Sequence, residues 1–379
     1  MLVAAVYTDV TRRDGHFTPD PPRSRPLTSL ENCVPSQPRL PISHTIHLVP
    51  FFRFLRDIGA PIERGIDQAR LPTRIIDVPD CYAPTESVWA FIGNMARRQG
   101  IDDLGLRVAH GGGLRMLGQG LTGQLDQAET LLRGLERFCH VIHRESSEMR
   151  CWLVTDESEA RFHLHKTFGP GTLGYAETEW LGLMAMLTAI QVFTGPRWQP
   201  TRVAIRSKGP VPRLAEELFP DTEFSVDSRE IYIAFPRSIL SQGRAPQHGD
   251  PRFIRPESES FRFAAEEPAS DFAQRLRQCL QPHLFDGHPD IRLAADLLHT
   301  STRTLQRRLA ELDLTYSSLV DGARLELSKR MLTETDTTAT DIAYALGYSD
   351  PSHFARAFRR LASVSPREYR RQAGQVDAE

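Results

Sequence analysis

The apolar positions of residues 293–309 recur without a gap in residues 342–358, and in both stretches they divide into a short helix, a tight turn and a second helix. Ser301 stands at the N-cap of the first unit's second helix, and Leu305 and Leu309 turn inward from one face. In the second unit Asp350 caps, and Pro351 takes the first helical position, where its missing N–H costs nothing. Phe354, Ala357, Phe358 and Leu361 supply the inward stripe there. This is the pattern of two helix-turn-helix units.

Upstream the period changes several times. Residues 1–43 are rich in Pro, Arg and Ser and hold no apolar period, which predicts a disordered leader or an over-long translation start. From His44 the pattern is helical: Leu48, Phe51, Phe52, Leu55 and Ile58 share a face of one helix, a second is expected over 62–70, and Val88, Phe91, Ile92 and Met95 mark a third. One amphipathic helix is read over 125–142. Strands at 150–154 and 160–165 flank an acidic turn as a hairpin, and a buried helix follows over 177–193. A strand at 201–206, a helix at 214–219 and strands at 223–226 and 230–235 complete this region.

The expected architecture is an α+β N-terminal domain over 44–240 and a linker punctuated by Gly and Pro over 241–270. An all-α domain with two helix-turn-helix units follows over 271–371, then a tail over 372–379.

Composition sharpens this picture only locally. The 379 residues, 40% of them hydrophobic, suffice for two or three cores. A net charge of -2 puts any nucleic-acid contact on local patches and not on bulk charge. Lys166, Lys208 and Lys329 are the only lysines, so the positive charge is almost all arginine, both inside and outside the helix-turn-helix units. Arginine suits bidentate contact with phosphate and guanine. Cys33, Cys81, Cys139, Cys151 and Cys279 form no C-x-x-C pair, which predicts reduced thiols and a cytoplasmic protein. The longest apolar run, 180–193, is too short to cross a bilayer, so no membrane partner is expected.

Candidate chemistry narrows the classes further. His110 followed by Gly111, Gly112 and Gly113 has the form of an oxyanion loop, but the chain lacks the G-x-S-x-G elbow of a hydrolase, and a turn between helices is expected instead. No G-x-x-x-x-G-K-[ST] loop is present to cradle a nucleotide phosphate. In the first helix-turn-helix unit Arg303, Gln306 and Arg307 lie opposite the inward leucines, where Arg can pair with guanine O6 and N7 and Gln with adenine N6 and N7. Arg308 is turned aside, towards phosphate. In the second unit Ser352, His353 and Arg356 face outward near the helix start, the part that enters the major groove. Arg359, Arg360, Arg370 and Arg371 are placed to grip the phosphate backbone. The bland reading of the same residues is a helical bundle with a solvated arginine face.

Residues 341–360, followed by 365–370, resemble the C-terminal signature of the AraC/XylS family of bacterial transcription regulators, and 271–371 fits that family's DNA-binding domain. The resemblance implies a long helix over about 316–332 joining the two units, which read successive major-groove segments. It also marks Arg303, Gln306, Arg307, Ser352, His353 and Arg356 as the base-reading positions. Residues 44–240 resemble, through the helical opening, the segment 104–109 and the later α+β pattern, the arabinose-binding-like effector domain of one branch of the family. That likeness implies a small-molecule effector, a homodimer, promoter DNA and RNA polymerase as partners, an activator's role, no catalytic site and no cofactor. Gly347 closes the first helix of the second unit, where Leu298 is the superposed residue of the first, so a positive φ there would cost Leu298 about 1 kcal/mol.

Two alternatives remain. Cys139 and His143 on one helix, with His163 and His165 on one strand face, are donors of the kind that hold zinc, which would make the protein a metal-responsive regulator. An enzyme with a DNA-binding tail is the other, although no cysteine sits in a recognisable catalytic motif. Because the two reading faces differ, the expected DNA site is asymmetric, with centres about one helical turn apart.

Overall fold

A computed structural model describes residues 40–245 and 268–376, apart from 78, 148 and 288 and the side chains of 115, 116, 119 and 374–376. The expected leader up to residue 39 and most of the expected linker lie outside the described residues. Leu40 is already buried, and strand β1 (Ile42–His44) is fixed by the Ser43 hydroxyl, 2.9 Å from the Thr85 hydroxyl and 3.0 Å from that of Ser146. Residues 40–43 therefore belong to the fold and not to a leader.

After β1 come α1 (Val49–Asp57) and α2 (Ile62–Gln68), then β2 (Tyr82–Pro84), which pairs antiparallel with β1, and α3 (Thr85–Gln99). Phe51, Phe52 and Leu55 are buried as expected. Ile58 falls just beyond the last turn of α1 and is 45% exposed, since the chain turns away at Gly59 with φ 70. The glycines after His110 end α4 (Leu104–Gly112), and Gly113 makes the turn with φ 52. The helix expected over 125–142 is two helices, α5 (Gly118–Asp126) and α6 (Leu131–Glu145). Thr130 caps the second by accepting the Arg133 N–H at 3.4 Å, a local bond that competes with continuing the helix.

The hairpin forms as read, from β3 (Arg150–Thr155) and β4 (Glu159–His165), followed by α7 (Tyr175–Thr194), β5 (Arg202–Ala204), α8 (Arg213–Leu218), β6 (Glu223–Ser225) and β7 (Ile231–Pro236). The sheet runs β3-β4-β7-β5-β6. Side chains alternate between its faces. Helices α6 and α7 cover the face of Ala160, Phe162 and Leu164: Phe138 meets Phe162 edge-on at 5.6 Å, and a Cβ at Gly182 would stand 2.7 Å from Leu164 Cδ2.

The C-terminal domain is all helix: α9 (Phe272–Leu280), α10 (Ile291–Leu297), α11 (Thr302–Ala310), α12 (Tyr316–Glu334), α13 (Ala339–Ala345), α14 (Pro351–Ala362) and α15 (Pro366–Val376). The joining helix α12 is the one expected, two residues longer.

Hydrophobic packing does not follow the expected domain boundary. One core holds α5, α6, α7 and the sheet, while a second runs from Phe51, Phe91 and Ile75 into Phe272, Leu276, Leu284, Leu297 and Phe354. The N-terminal helical segment thus shares its interior with the helix-turn-helix domain. Each fully buried Leu or Phe contributes roughly 1.5–3 kcal/mol, so a handful of such contacts outweighs the polar bonds around them.

Two buried charged clusters tie the N-terminal domain together. Glu145 Oε2 accepts from His47 Nε2 at 2.9 Å and His44 Nδ1 at 3.3 Å, and His44 Nε2 donates to Asp80 at 2.6 Å. Burial acts against both charges, but the hydrogen bonds outweigh it: the His44 pKa is held up at about 9 and that of Glu145 down at about 2. With a carboxylate on each ring nitrogen, His44 must carry both protons. Lys166, also buried, donates to Thr178 Oγ1 at 2.6 Å and lies 4.3 Å over the Trp89 ring, and burial pulls its pKa to about 7.

Candidate nucleic-acid interface

The two helix-turn-helix units superpose less simply than their apolar pattern suggests. In the second unit the N–H of Tyr348 returns to the Ala343 carbonyl at 3.0 Å and Gly347 has φ 77. The same closure in the first unit is made by Thr300, whose N–H reaches the Ala295 carbonyl at 2.9 Å, and the left-handed residue is His299 with φ 47. Leu298 keeps φ -100 and packs against the core. The residue that matches Gly347 is therefore His299, the first turn is one residue shorter, and the expected steric cost at Leu298 does not arise. Histidine visits this backbone region more readily than bulky apolar residues do. Leu298→Gly is expected to destabilise the fold by about 1 kcal/mol or more, through lost packing and added backbone freedom, whereas His299→Gly is expected to stay within about 0.5 kcal/mol of the parent; thermal unfolding compares them.

Both reading helices are capped as read. Ser301 accepts the Thr304 N–H at 3.1 Å, and Asp350 accepts the Ser352 N–H at 2.8 Å, a bond that holds the Asp350 carboxyl below its ordinary range. Leu305 and Leu309 on α11, and Phe354 and Phe358 on α14, are buried. Leu361, expected inside, is 42% exposed. All six expected base-reading residues, Arg303, Gln306, Arg307, Ser352, His353 and Arg356, are exposed. Arg307 lies 3.8 Å from Glu311 and His353 4.0 Å from Asp350, both in exposed pairs too weak to hold the side chains back from a ligand.

The expected phosphate-binding arginines divide. Arg359 and Arg371 are exposed. Arg308 instead lays its guanidinium 3.3 Å above the Phe272 ring, which roofs α9. Arg370 donates to the carbonyls of Leu332, Thr335 and Thr337 at 2.9, 3.2 and 2.6 Å, closing the end of α12. Arg360 is exposed as well, and its surface pair with Asp321 on α12 at 3.2 Å leaves it available. Helical spacing alone put Arg308 and Arg370 outward; the contacts that hold them come from other helices.

The four candidate metal ligands do not converge. Cys139 sits on α6, against the helix-covered face of the sheet, and burial pushes its thiol up to about 12. His163 lies on the other face, stacked on Trp152 at 5.1 Å with Tyr232 at 5.3 Å. His165, two residues on, shares that face, so the sheet separates the histidine pair from Cys139 and His143. Among the described residues no group of three or more His, Cys, Asp or Glu could hold a metal ion. The metal-responsive alternative is set aside.

Residues that the pattern did not flag connect the N-terminal domain to the helix-turn-helix domain. Arg70 pairs with Asp296 on α10, the Thr73 N–H donates to Asp286 at 2.9 Å, and Arg275 on α9 donates to the Leu40 carbonyl at 3.1 Å. His299, at the turn itself, lies 3.3 Å from Glu86.

Comparison with known proteins decides the family. Residues 59–243 match the model for the N-terminal arabinose-binding domain of the AraC transcription regulator, and residues 294–372 match a helix-turn-helix domain model. The chain belongs to the AraC family of transcription regulators. Among AraC-family relatives, the ornithine utilization regulator of Pseudomonas aeruginosa is 27% identical over 87% of this chain and 98% of its own. The regulator VirS of Mycobacterium tuberculosis is also 27% identical, over 84% and 94%. The transcriptional activator RhaS of an Enterobacter strain is 43% identical over 77 residues, 20% of this chain and 28% of RhaS. As in the family, an N-terminal effector-binding domain precedes the DNA-binding units, and no helix of the described residues is long and apolar enough to cross a membrane.

Proposed function

We propose that this regulator lays α11 and α14 into successive major grooves of promoter DNA, reads an asymmetric site with Arg303, Gln306, Arg307, Ser352, His353 and Arg356, and works as a homodimer that activates RNA polymerase. Arg359 and Arg371 hold the phosphate backbone. The observation that carries this reading is the pair of capped helices with buried inner faces and exposed arginine-bearing outer ones. RhaS, alike over the helix-turn-helix region, is an activator, which supports that direction. A small molecule bound in the N-terminal domain acts on α9 and α10 through the shared core, which gives it a path to the first unit shorter than to the second.

Selection by the full chain from random-sequence duplexes tests this. The expected product is one asymmetric sequence spanning two adjacent major-groove segments. A palindrome confined to one groove, or no enrichment, overturns it.

A further inference from the structure

The five-stranded sheet has two unlike edges. β6 offers three residues, whereas β3 offers six, with no proline or lysine among them. Short strands, prolines and lysines are the usual protection of an edge against pairing with another chain, and β3 has none of them. Beside it lies an open groove of about 1090 Å³, walled by Leu132, Glu136 and Cys139 of α6 and by Cys151, Leu153 and Thr155 of β3. On the opposite face Trp152 is 37% exposed.

The backbone of β3 fixes which groups point out of the sheet. The Asp156 N–H donates to the Glu159 carbonyl at 2.9 Å, so this residue directs its backbone towards β4. Backbone polar groups alternate sides along an antiparallel strand. Arg150, Trp152 and Val154 therefore also bond towards β4, and Cys151, Leu153 and Thr155 turn theirs outward.

We infer that β3 pairs antiparallel with β3 of a second copy, joining the two five-stranded sheets across a two-fold axis at Leu153. A two-fold axis normal to the sheet keeps each side chain on its own face, so only residues of like parity can stand opposite one another. Among such registers, the one centred on Leu153 pairs all three outward residues: Leu153 with its counterpart, and Cys151 with Thr155 twice. The same register sets Trp152 against Val154 and Arg150 against Asp156 on the other face. Arg150 is held at the strand's start by the carbonyls of Ser147 and Met149, at 3.0 and 2.8 Å, and Asp156 with Glu157 makes the far end acidic. Opposite charges thus meet at both ends of the paired strands, and like charges do not. The grooves, open in one copy, come to lie beside each other across the axis.

This inference rests on the proposed homodimer and not on the DNA reading, and one set of measurements on the full chain separates the two. In sedimentation the parent chain is expected to be a dimer. Leu153→Pro, which removes an outward N–H without touching the β4 ladder, is expected to be a monomer with unchanged circular dichroism. Counterpart Cα atoms in a hydrogen-bonded pair stand about 5.5 Å apart, within disulfide reach. The Leu153→Cys chain treated with diamide is therefore expected to run as a covalent dimer without reductant, and Trp152→Cys, opposite Val154, is not. A parent chain that is monomeric at every concentration overturns both the homodimer and the interface. A dimer that fails to cross-link through position 153 overturns the interface alone, whether or not Leu153→Pro folds.

Discussion

Glu145→Ala is expected to lower the stability of the fold by about 3 kcal/mol at pH 5 to 6. The carboxyl is held down from 4.5 to about 2, and each pKa unit of differential interaction is worth about 1.4 kcal/mol. Breaking a buried pair from one side typically costs about 3–5 kcal/mol, because the charge left behind keeps its desolvation penalty. The charge left here is His44, whose pKa Glu145 helps to hold up and which retains Asp80 as its partner.

The pH dependence has a definite sign on each side. A depressed carboxyl contributes stability above its ordinary value near 4.5 and loses it as pH falls through about 2. A raised histidine contributes fully below about 6.5 and loses its share as pH rises through about 9. The deficit of the variant relative to the parent should therefore be widest between these ordinary values and narrow in both directions, with Lys166 common to both proteins and cancelling. Denaturant unfolding at a series of pH values measures this, and Glu145→Gln, which keeps an acceptor without the charge, should fall between the two. A deficit that does not vary with pH would mean that Glu145 acts through packing alone.

Arg356→Ala is expected to lose about 1–3 kcal/mol of discrimination at the bases under the start of α14, a factor of about 5–150 in preference, while binding to unrelated sequence changes little. The residue is exposed near the N-terminus of a helix capped by Asp350, where it can reach a base edge. Arg359→Ala should instead weaken binding to all sequences alike and reduce the slope of log affinity on log salt by about 1. Arg370→Ala makes the contrast complete. Its guanidinium is occupied by three carbonyls at the end of α12, so its loss should appear in thermal stability and leave the salt slope unchanged. Equal effects of Arg356→Ala on cognate and unrelated duplexes would contradict the division into base and phosphate contacts.

What could be read from the sequence followed the length and regularity of each element. α11 and α14 were legible because caps and an apolar period agree over each of them, whereas α12 was expected only through the family resemblance. The hairpin of β3 and β4 was legible from alternation around an acidic turn. β1 and β2, three residues each, are too short for any period to show, and Thr130 stops a helix inside a stretch that remains amphipathic throughout.

The candidate site shows the same limit at finer scale. Exposure of the six base-reading positions follows from helical facing, which is a local property. The turn at His299 does not, because a gapless match of apolar positions is insensitive to a one-residue change in the loop. Arg308 and Arg370 were placed outward by the same facing argument, and their partners, Phe272 and the carbonyls at the end of α12, lie 33 to 38 residues away along the chain. The core shared between the two domains was invisible for the same reason. It also bears on residues 271–379 in isolation: cut from the N-terminal domain, Phe272, Leu276 and Leu284 lose part of their cover, so a failure of that piece to bind DNA would report on folding and not on function.

The most direct test is a hydroxyl-radical footprint of the full chain on its selected duplex, at two salt concentrations. Two protected segments are expected on one face of the DNA, about one helical turn apart, with Arg303→Ala relaxing sequence preference under one and Arg356→Ala under the other, and with protection weakening as salt rises. A single protected segment, or no site-specific and salt-sensitive protection at all, would contradict this reading.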